Sequence, residues 1–181
     1  MARHGLTRRR TLVQLRRPLP LDAESRRGIA DAPTRSFRVG ADEDDWLEVN
    51  NAAFDWHPEQ GGWDRSRLAS ALAEDWVDLD GFLVHEGGGG RLDGFCWTKV
   101  HAVDHADPDG GHPLGEIWVI ATHPRARGSG LGPALVAAGL DHLRREGLDA
   151  AMLYTEQDNV AARRMYERMG FEVHERRAGY G

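Results

Sequence analysis

The chain has 181 residues and a formal charge of −6, long enough for one domain with a hydrophobic core that needs neither disulfides nor a structural metal. Its single cysteine, Cys96, excludes an intramolecular disulfide and fits a reducing cytoplasm. No apolar run reaches membrane-spanning length, no signal-peptide pattern opens the chain, and the acidic balance argues against a general nucleic-acid binder.

The charge is uneven. Nine arginines against Asp22, Glu24 and Asp31 give residues 1–35 a charge of +6 and leave −12 on the remainder. Residues 1–35 therefore read as a basic arm and linker, a solvated segment rather than a binding one. Within it, Leu12-Val13-Gln14-Leu15 alternates like an edge strand that Pro18 and Pro20 stop. Residues 22–35 have the polar, small composition of a linker.

From Ser36 an α+β alternation begins. "SFRVG" reads as a strand, and Asp42 is an N-cap for a helix to about Phe54, with Trp46, Val49 and Phe54 at core positions. "DWHPEQGGW" is an irregular loop. Asp64 caps a second helix with Leu68, Leu72 and Trp76 at helical spacing. "GFLVHE" and "RLDGFCWTKVH" form a hairpin across the glycine run 87–90. "GEIWVIAT" is apolar on both faces and reads as a central strand. A helix over about 130–146, the strand "AAMLYTE", a short helix ended by Gly170 and a last strand "FEVHERR" complete the pattern.

The stretch from "EIWVIAT" through "HPRARGSGLG" into a helix has the form of an anion site. A glycine-rich turn at a helix start exposes amide N–H groups without intrahelical partners, and the helix dipole favours negative charge there. Gly128, Gly130 and Gly132 permit close approach and positive φ, and Arg127 adds charge. Pro133-Ala134 stands where a nucleotide P-loop needs Lys-Ser/Thr, and the third glycine of a dinucleotide fingerprint is missing. Alone, the turn favours an anion site but also fits an ordinary capped loop.

Arg127-Gly128-Ser129-Gly130-Leu131-Gly132, followed by Asn159 and Tyr166 in "DNVAARRMYERMGF", resembles the pyrophosphate signature and downstream helix of the GNAT acetyltransferase superfamily. "HPEQGGW", "GFCWTKVH", "GEIWVIATHP" and "MLYTEQDNVAARRMYERMGF" carry a narrower resemblance, to the C-terminal half of the mycothiol synthases, over about Phe37 to Arg177. The resemblance implies a mixed, mostly antiparallel, splayed sheet flanked by helices. It implies that residues 36–181 are the acetyltransferase domain, and that residues 1–35 are the last strand and linker of a first domain missing from this chain.

The resemblance also implies the chemistry. Acetyl-CoA is the cosubstrate, and the acceptor is the cysteinyl amine of cysteinyl-glucosaminyl-inositol. Glu116 is the general base, since an ammonium cannot attack, and Tyr166 protonates the departing thiolate. Pantetheine pairs with the backbone of Ile120, Ala121 and Thr122. Pyrophosphate lies on Arg127, Gly128, Ser129, Gly130, Leu131, Gly132 and Pro133. Asn159, Val160, Ala161, Ala162, Arg163 and Arg164 flank the cofactor arm. Glu59, Lys99, Glu116 and Tyr154 hold the acceptor, and Lys99 is the sole lysine among 23 basic residues.

No metal is expected: His101, His105 and His112, with Asp104, Asp107 and Asp109, lack ligand spacing on a helix and read as a substrate-covering loop. The expected partners are a small-molecule amine and either a second copy of the chain or a missing domain, with no nucleic acid and no membrane. Two other readings stay open, a GNAT enzyme for a peptide N-terminus or aminoglycoside, and a non-catalytic acyl-CoA-binding remnant.

Overall fold

The computed structural model describes residues 10–103 and 111–178. Seven strands run β1 (Thr11–Pro18), β2 (Arg35–Ser36), β3 (Phe82–Glu86), β4 (Leu92–His101), β5 (Leu114–Thr122), β6 (Ala150–Glu156) and β7 (Glu172–Ala178). Four helices join them: α1 (Glu43–Ala53), α2 (Arg65–Leu72), α3 (Leu131–Arg145) and α4 (Val160–Arg168). They form one mixed sheet in the order β2-β3-β4-β5-β6-β1-β7, an α+β architecture.

Two apolar clusters lie on opposite faces of the sheet. On one face α1 and α2 close over an aromatic group in which Trp46, Phe82, Phe95 and Trp97 are fully buried. Trp97 stacks on Phe82, with ring centroids 4.0 Å apart and planes 7° from parallel. On the other face α3 lays Leu135, Val136, Leu140 and Leu143 against Cys96, Ile117 and Leu153. Gly139 sits at that contact: a Cβ there would stand 2.6 Å from the Cys96 Sγ. The helix and sheet backbones therefore approach more closely than any side chain allows.

Two expected features fall differently. Asp42 occupies the N-cap position, but its side chain caps nothing. Arg35 takes both its oxygens, at 2.7 and 2.9 Å, and the Arg38 N–H donates to it at 2.7 Å. Burial opposes ionisation of this carboxyl, yet those donors hold it below the usual carboxylate range. Helix α2, capped as expected by Asp64 through the Arg67 N–H, ends at Leu72. Trp76 lies beyond it and packs edge-on against Trp118, 4.7 Å between centroids. A side chain that fits helical spacing is used to fill an aromatic gap instead.

The larger correction concerns the arm. Thr11–Pro18 is an inner strand, antiparallel to both β6 and β7, and not an edge strand. Pairing on both sides excludes water from its backbone, and Val13, Leu15, Leu19 and Leu21 join the α3-side core. Arg17 is buried as well. Its guanidinium donates to the carbonyls of Pro18, Pro20 and Met169 and lies 3.4 Å from an Asp22 carboxylate oxygen. The bond to Met169 reaches the C-terminal end of α4, so the start of the chain clasps its last helix.

Candidate active site

Strands β5 and β6 are parallel, and their register holds only from Gly115↔Ala151 to Ile117↔Leu153. Beyond Ile117 the strands part, and the far end of β5 faces a gap where a partner strand would lie. On its other edge β5 stays paired with β4, but the register shifts at Trp97/Thr98. Trp97 faces Val119 and Thr98 faces Ile117, which makes Trp118 an extra, bulged residue. The bulge re-phases the strand, so that Ile117 and Ile120 both point to the α3 side.

The gap is a cleft of about 410 Å³. Of the residues singled out in the sequence, Ile120, Ala121, Thr122, Gly132, Tyr154, Asn159, Ala162 and Tyr166 line it. Phe54, Trp56, His57, Gln60 and Trp118 line it too, and were missed. The loop before α2 delivers His57 and Gln60. It can fold back this tightly because Gly61 carries no Cβ, which would stand 2.0 Å from the Phe54 carbonyl oxygen. The His57 Nδ1 accepts the N–H groups of Glu59 and Gln60, at 3.1 and 3.0 Å, which turns its Nε2 toward Glu156, 3.7 Å away.

The turn before α3 reaches the cleft only at Gly132; Ser129, Gly130 and Leu131 line a separate pocket beside it. Gly128 and Gly130 have φ of +77° and +79°, in the left-handed region open to glycine. A Cβ added at Gly128 would meet nothing within 4 Å, so it is conformation rather than crowding that demands glycine there. Arg127, Gly128, Ser129 and Gly130 are exposed, and Pro133 is half-buried. The Leu131 side chain belongs to the core, which leaves only its backbone to face a ligand. Arg125 anchors the turn by ion pairs to Asp93 (2.6 Å) and Glu48 (2.9 Å).

Across the cleft, Asn159 caps α4 through its Oδ1 and the Ala162 N–H, at 3.2 Å. Val160, Ala161 and Arg164 are exposed on the first turns of that helix. The Arg163 Nε is buried, with no hydrogen-bond partner among the described residues. Tyr166 lies at the base of the cleft, 6 % exposed, 5.7 Å from Phe171 between ring centroids. Burial, with the nearby Cys96, raises its phenol above the ordinary value, so it keeps its proton across the neutral range. Burial pushes the Cys96 thiol up to about 12, too high for a nucleophile at neutral pH.

The pairing registers put Lys99, Glu116 and Tyr154 on the face that α1 covers further along the sheet. Glu116 is 6 % exposed, and its Oε2 lies 2.5 Å from the His101 Nε2. His101 ends β4, as the strand pattern "RLDGFCWTKVH" has it, two residues beyond Lys99, and reaches across to Glu116. The Lys99 ammonium lies 4.5 Å from the centre of the Trp76 ring. The structure does not bring Glu59 into this group: it is exposed on its loop and does not line the cleft. His105, Asp104, Asp107 and Asp109 lie outside the described residues. Among the described residues, Asp78, His142 and Glu146 gather potential ligand atoms within 4.8 Å of one another, and none of them lines the cleft. No helix among the described residues is long and apolar enough to cross a membrane.

Residues 46–171 match the model of the Acetyltransferase (GNAT) family. The chain is 51% identical over 170 residues to a mycothiol acetyltransferase of Acidimicrobium ferrooxidans, covering 93% of this chain and 53% of that protein. It is 47% identical over 185 residues to one of Frankia alni, covering 99% and 55%. It thus spans about half the length of these curated relatives. Among solved structures, a GCN5-related N-acetyltransferase from Sphaerobacter thermophilus superposes with a TM-score of 0.68 at 20% identity, over 93% of this chain and 50% of that one. The ribosomal-protein-S18-alanine N-acetyltransferase of Escherichia coli superposes with a TM-score of 0.59 at 22% identity, over 79% of each chain. The family match over most of the chain and the split between β5 and β6 agree: the chain belongs to the GNAT acetyltransferase family.

Proposed function

We propose that this chain moves acetyl from acetyl-CoA to a primary amine, and that the amine is the cysteinyl amine of cysteinyl-glucosaminyl-inositol. One observation carries the reading. The cleft between β5 and β6 ends at Gly132, beside a turn suited to an anion, and is lined by Tyr154, on the sheet face that also bears Glu116 and Lys99. The choice of acceptor rests on the mycothiol acetyltransferases that match at 47–51% identity.

The residues fit a coenzyme A thioester. The end of β5 beyond Ile117 offers backbone groups that an extended pantetheine arm can pair with, as an added strand would. The glycine amides of the turn and the N-terminus of α3 suit its pyrophosphate, while the N–H groups of Arg127 and Ser129 donate to the Pro124 and Ala126 carbonyls. The thioester supplies an activated acetyl group, so no side-chain nucleophile is needed. Glu116 takes a proton from the acceptor's ammonium, which frees the neutral amine to attack the thioester carbonyl, and His101 holds the carboxylate in place. Tyr166 keeps its proton at neutral pH and gives it to the leaving sulfur. Lys99 and Tyr154 receive the hydroxyl-rich acceptor. The site of action is the cytoplasm.

The test is release of coenzyme A when the purified protein meets acetyl-CoA and cysteinyl-glucosaminyl-inositol. Turnover of a peptide N-terminus or aminoglycoside instead would change the acceptor and keep the reaction. Tight acetyl-CoA binding without turnover of any amine would leave a binding remnant. Glu116→Gln is expected to lower kcat by about 100-fold or more, the scale of lost general-base catalysis, with acetyl-CoA affinity unchanged. Tyr166→Phe is expected to slow coenzyme A release with the fold intact.

A further inference from the structure

The inner strand from the start of the chain reaches the acceptor side of the cleft. Gln14 faces Tyr154 in the β1–β6 register and is 2 % exposed. Its Nε2 lies 2.6 Å from the Tyr154 hydroxyl, and its Oε1 lies 2.7 Å from the Arg16 Nε. These contacts settle which way the amide points. A guanidinium has only donors, so the Gln14 atom facing Arg16 must be the carbonyl oxygen. The amide NH₂ then faces Tyr154 and donates to its oxygen. A phenol oxygen that accepts one hydrogen bond still has its own proton to give. Tyr154 lines the cleft, and the Arg177 guanidinium lies 5.8 Å from the centre of its ring.

We infer that Gln14 is a positioning residue that fixes Tyr154 as a hydrogen-bond donor toward a neutral oxygen of the acceptor, a hydroxyl or an amide carbonyl. The inference rests on the acetyltransferase reading above and deepens it. The register separates this oxygen from the reacting amine. Glu116 pairs across to Met152, and Tyr154 stands two residues further along β6, roughly 7 Å at strand rise. Tyr154 therefore reads a part of the acceptor remote from the bond being made, and losing its proton weakens acceptor binding more than chemistry. Gln14 and Arg16 lie in the segment whose composition marks it as an arm, so that segment helps to build the acceptor site.

The experiment uses Gln14→Glu, which keeps size and shape but can only accept. A carboxylate there draws the Tyr154 proton toward β1 and away from the cleft, while its pairing with Arg16 remains. With cysteinyl-glucosaminyl-inositol as the varied substrate, its KM is expected to rise about tenfold. The kcat should stay within about twofold of wild type, and the KM for acetyl-CoA should not move. Tyr154→Phe should give a rise of similar size, and the double variant should be no worse than Tyr154→Phe alone. An unmoved acceptor KM in a folded Gln14→Glu overturns the inference, as do additive effects or a parallel loss of acetyl-CoA affinity. If Gln14→Glu fails to melt cooperatively, Gln14→Met is read in its place, with a rise of about threefold expected and no change overturning the inference. Silence of the wild type with this acceptor overturns the functional reading, whereas wild-type turnover with unaffected variants overturns the present inference alone.

Discussion

The two wings of the sheet meet at the split between β5 and β6 and are built on different principles. The β2–β5 wing is covered on both faces, by α1 and α2 over the aromatic cluster and by α3 behind. On the β6–β1–β7 wing, the face continuous with that cluster instead carries Tyr154, Gln14 and Arg16, joined by hydrogen bonds, with Arg177 over the tyrosine ring. An aromatic cluster tolerates no water and specifies shape; a satisfied polar face keeps its donors and acceptors in place for a hydroxyl-rich ligand. One wing is a frame and the other a reader, and the parting of the strands puts the reaction between them.

The division is broken most severely from the frame side. Trp97 is fully buried, stacked on Phe82, with Trp118 edge-on at 4.9 Å. Trp97→Ala is expected to cost about 3–5 kcal/mol in urea unfolding, through lost burial and the cavity left behind. Among the described residues its Nε1–H finds no acceptor. Trp97→Phe, which removes that group and keeps a ring, should therefore cost much less. Equal losses for the two would mean that ring shape, rather than ring presence, holds this wing.

Arg17 tests how firmly the second wing is closed. Arg17→Met keeps most of the stem but strips the donors from the carbonyls of Pro18, Pro20 and Met169. A loss of about 2–3 kcal/mol is expected, the cost of leaving buried acceptors unpaired. Faster amide exchange in α4 should accompany it, because the Met169 carbonyl ends that helix. A change confined to β1 would show that the clasp does not hold the helix.

How much of this was readable follows the same division. The frame was legible: the "GFLVHE"/"RLDGFCWTKVH" hairpin, the central strand and α3 appear where hydrophobic patterning puts them, as does β6 across the split. The reader was not. Alternation in Leu12-Val13-Gln14-Leu15 marks a strand, but one strand pattern suits an edge and an interior equally. Only the partners on both sides show that Gln14 and Arg17 are buried. A signal did exist: alternation puts Gln14 and Arg16 together on the face opposite Val13 and Leu15. The Trp118 bulge and the pairing of His101 with Glu116 likewise depend on register, which local sequence leaves open.

The smallest expected effect on stability separates the wings most sharply, because it lies at their border. Lys99 is half-buried at the end of the frame, on the face shared with Glu116 and Tyr154. Its ammonium over the Trp76 ring contributes about 0.5–1 kcal/mol, the range for a cation above an aromatic face outside a dry core. Lys99→Met keeps the apolar stem against that ring, so unfolding should shift by less than about 1 kcal/mol. If Lys99 donates to acceptor hydroxyls, the same change removes a charged hydrogen bond, and the acceptor KM should rise about tenfold or more. Acetyl-CoA affinity should stay as it was, since Lys99 does not line the cleft. A large loss of stability with an unmoved acceptor KM would make Lys99 a part of the frame's packing and not of the acceptor site.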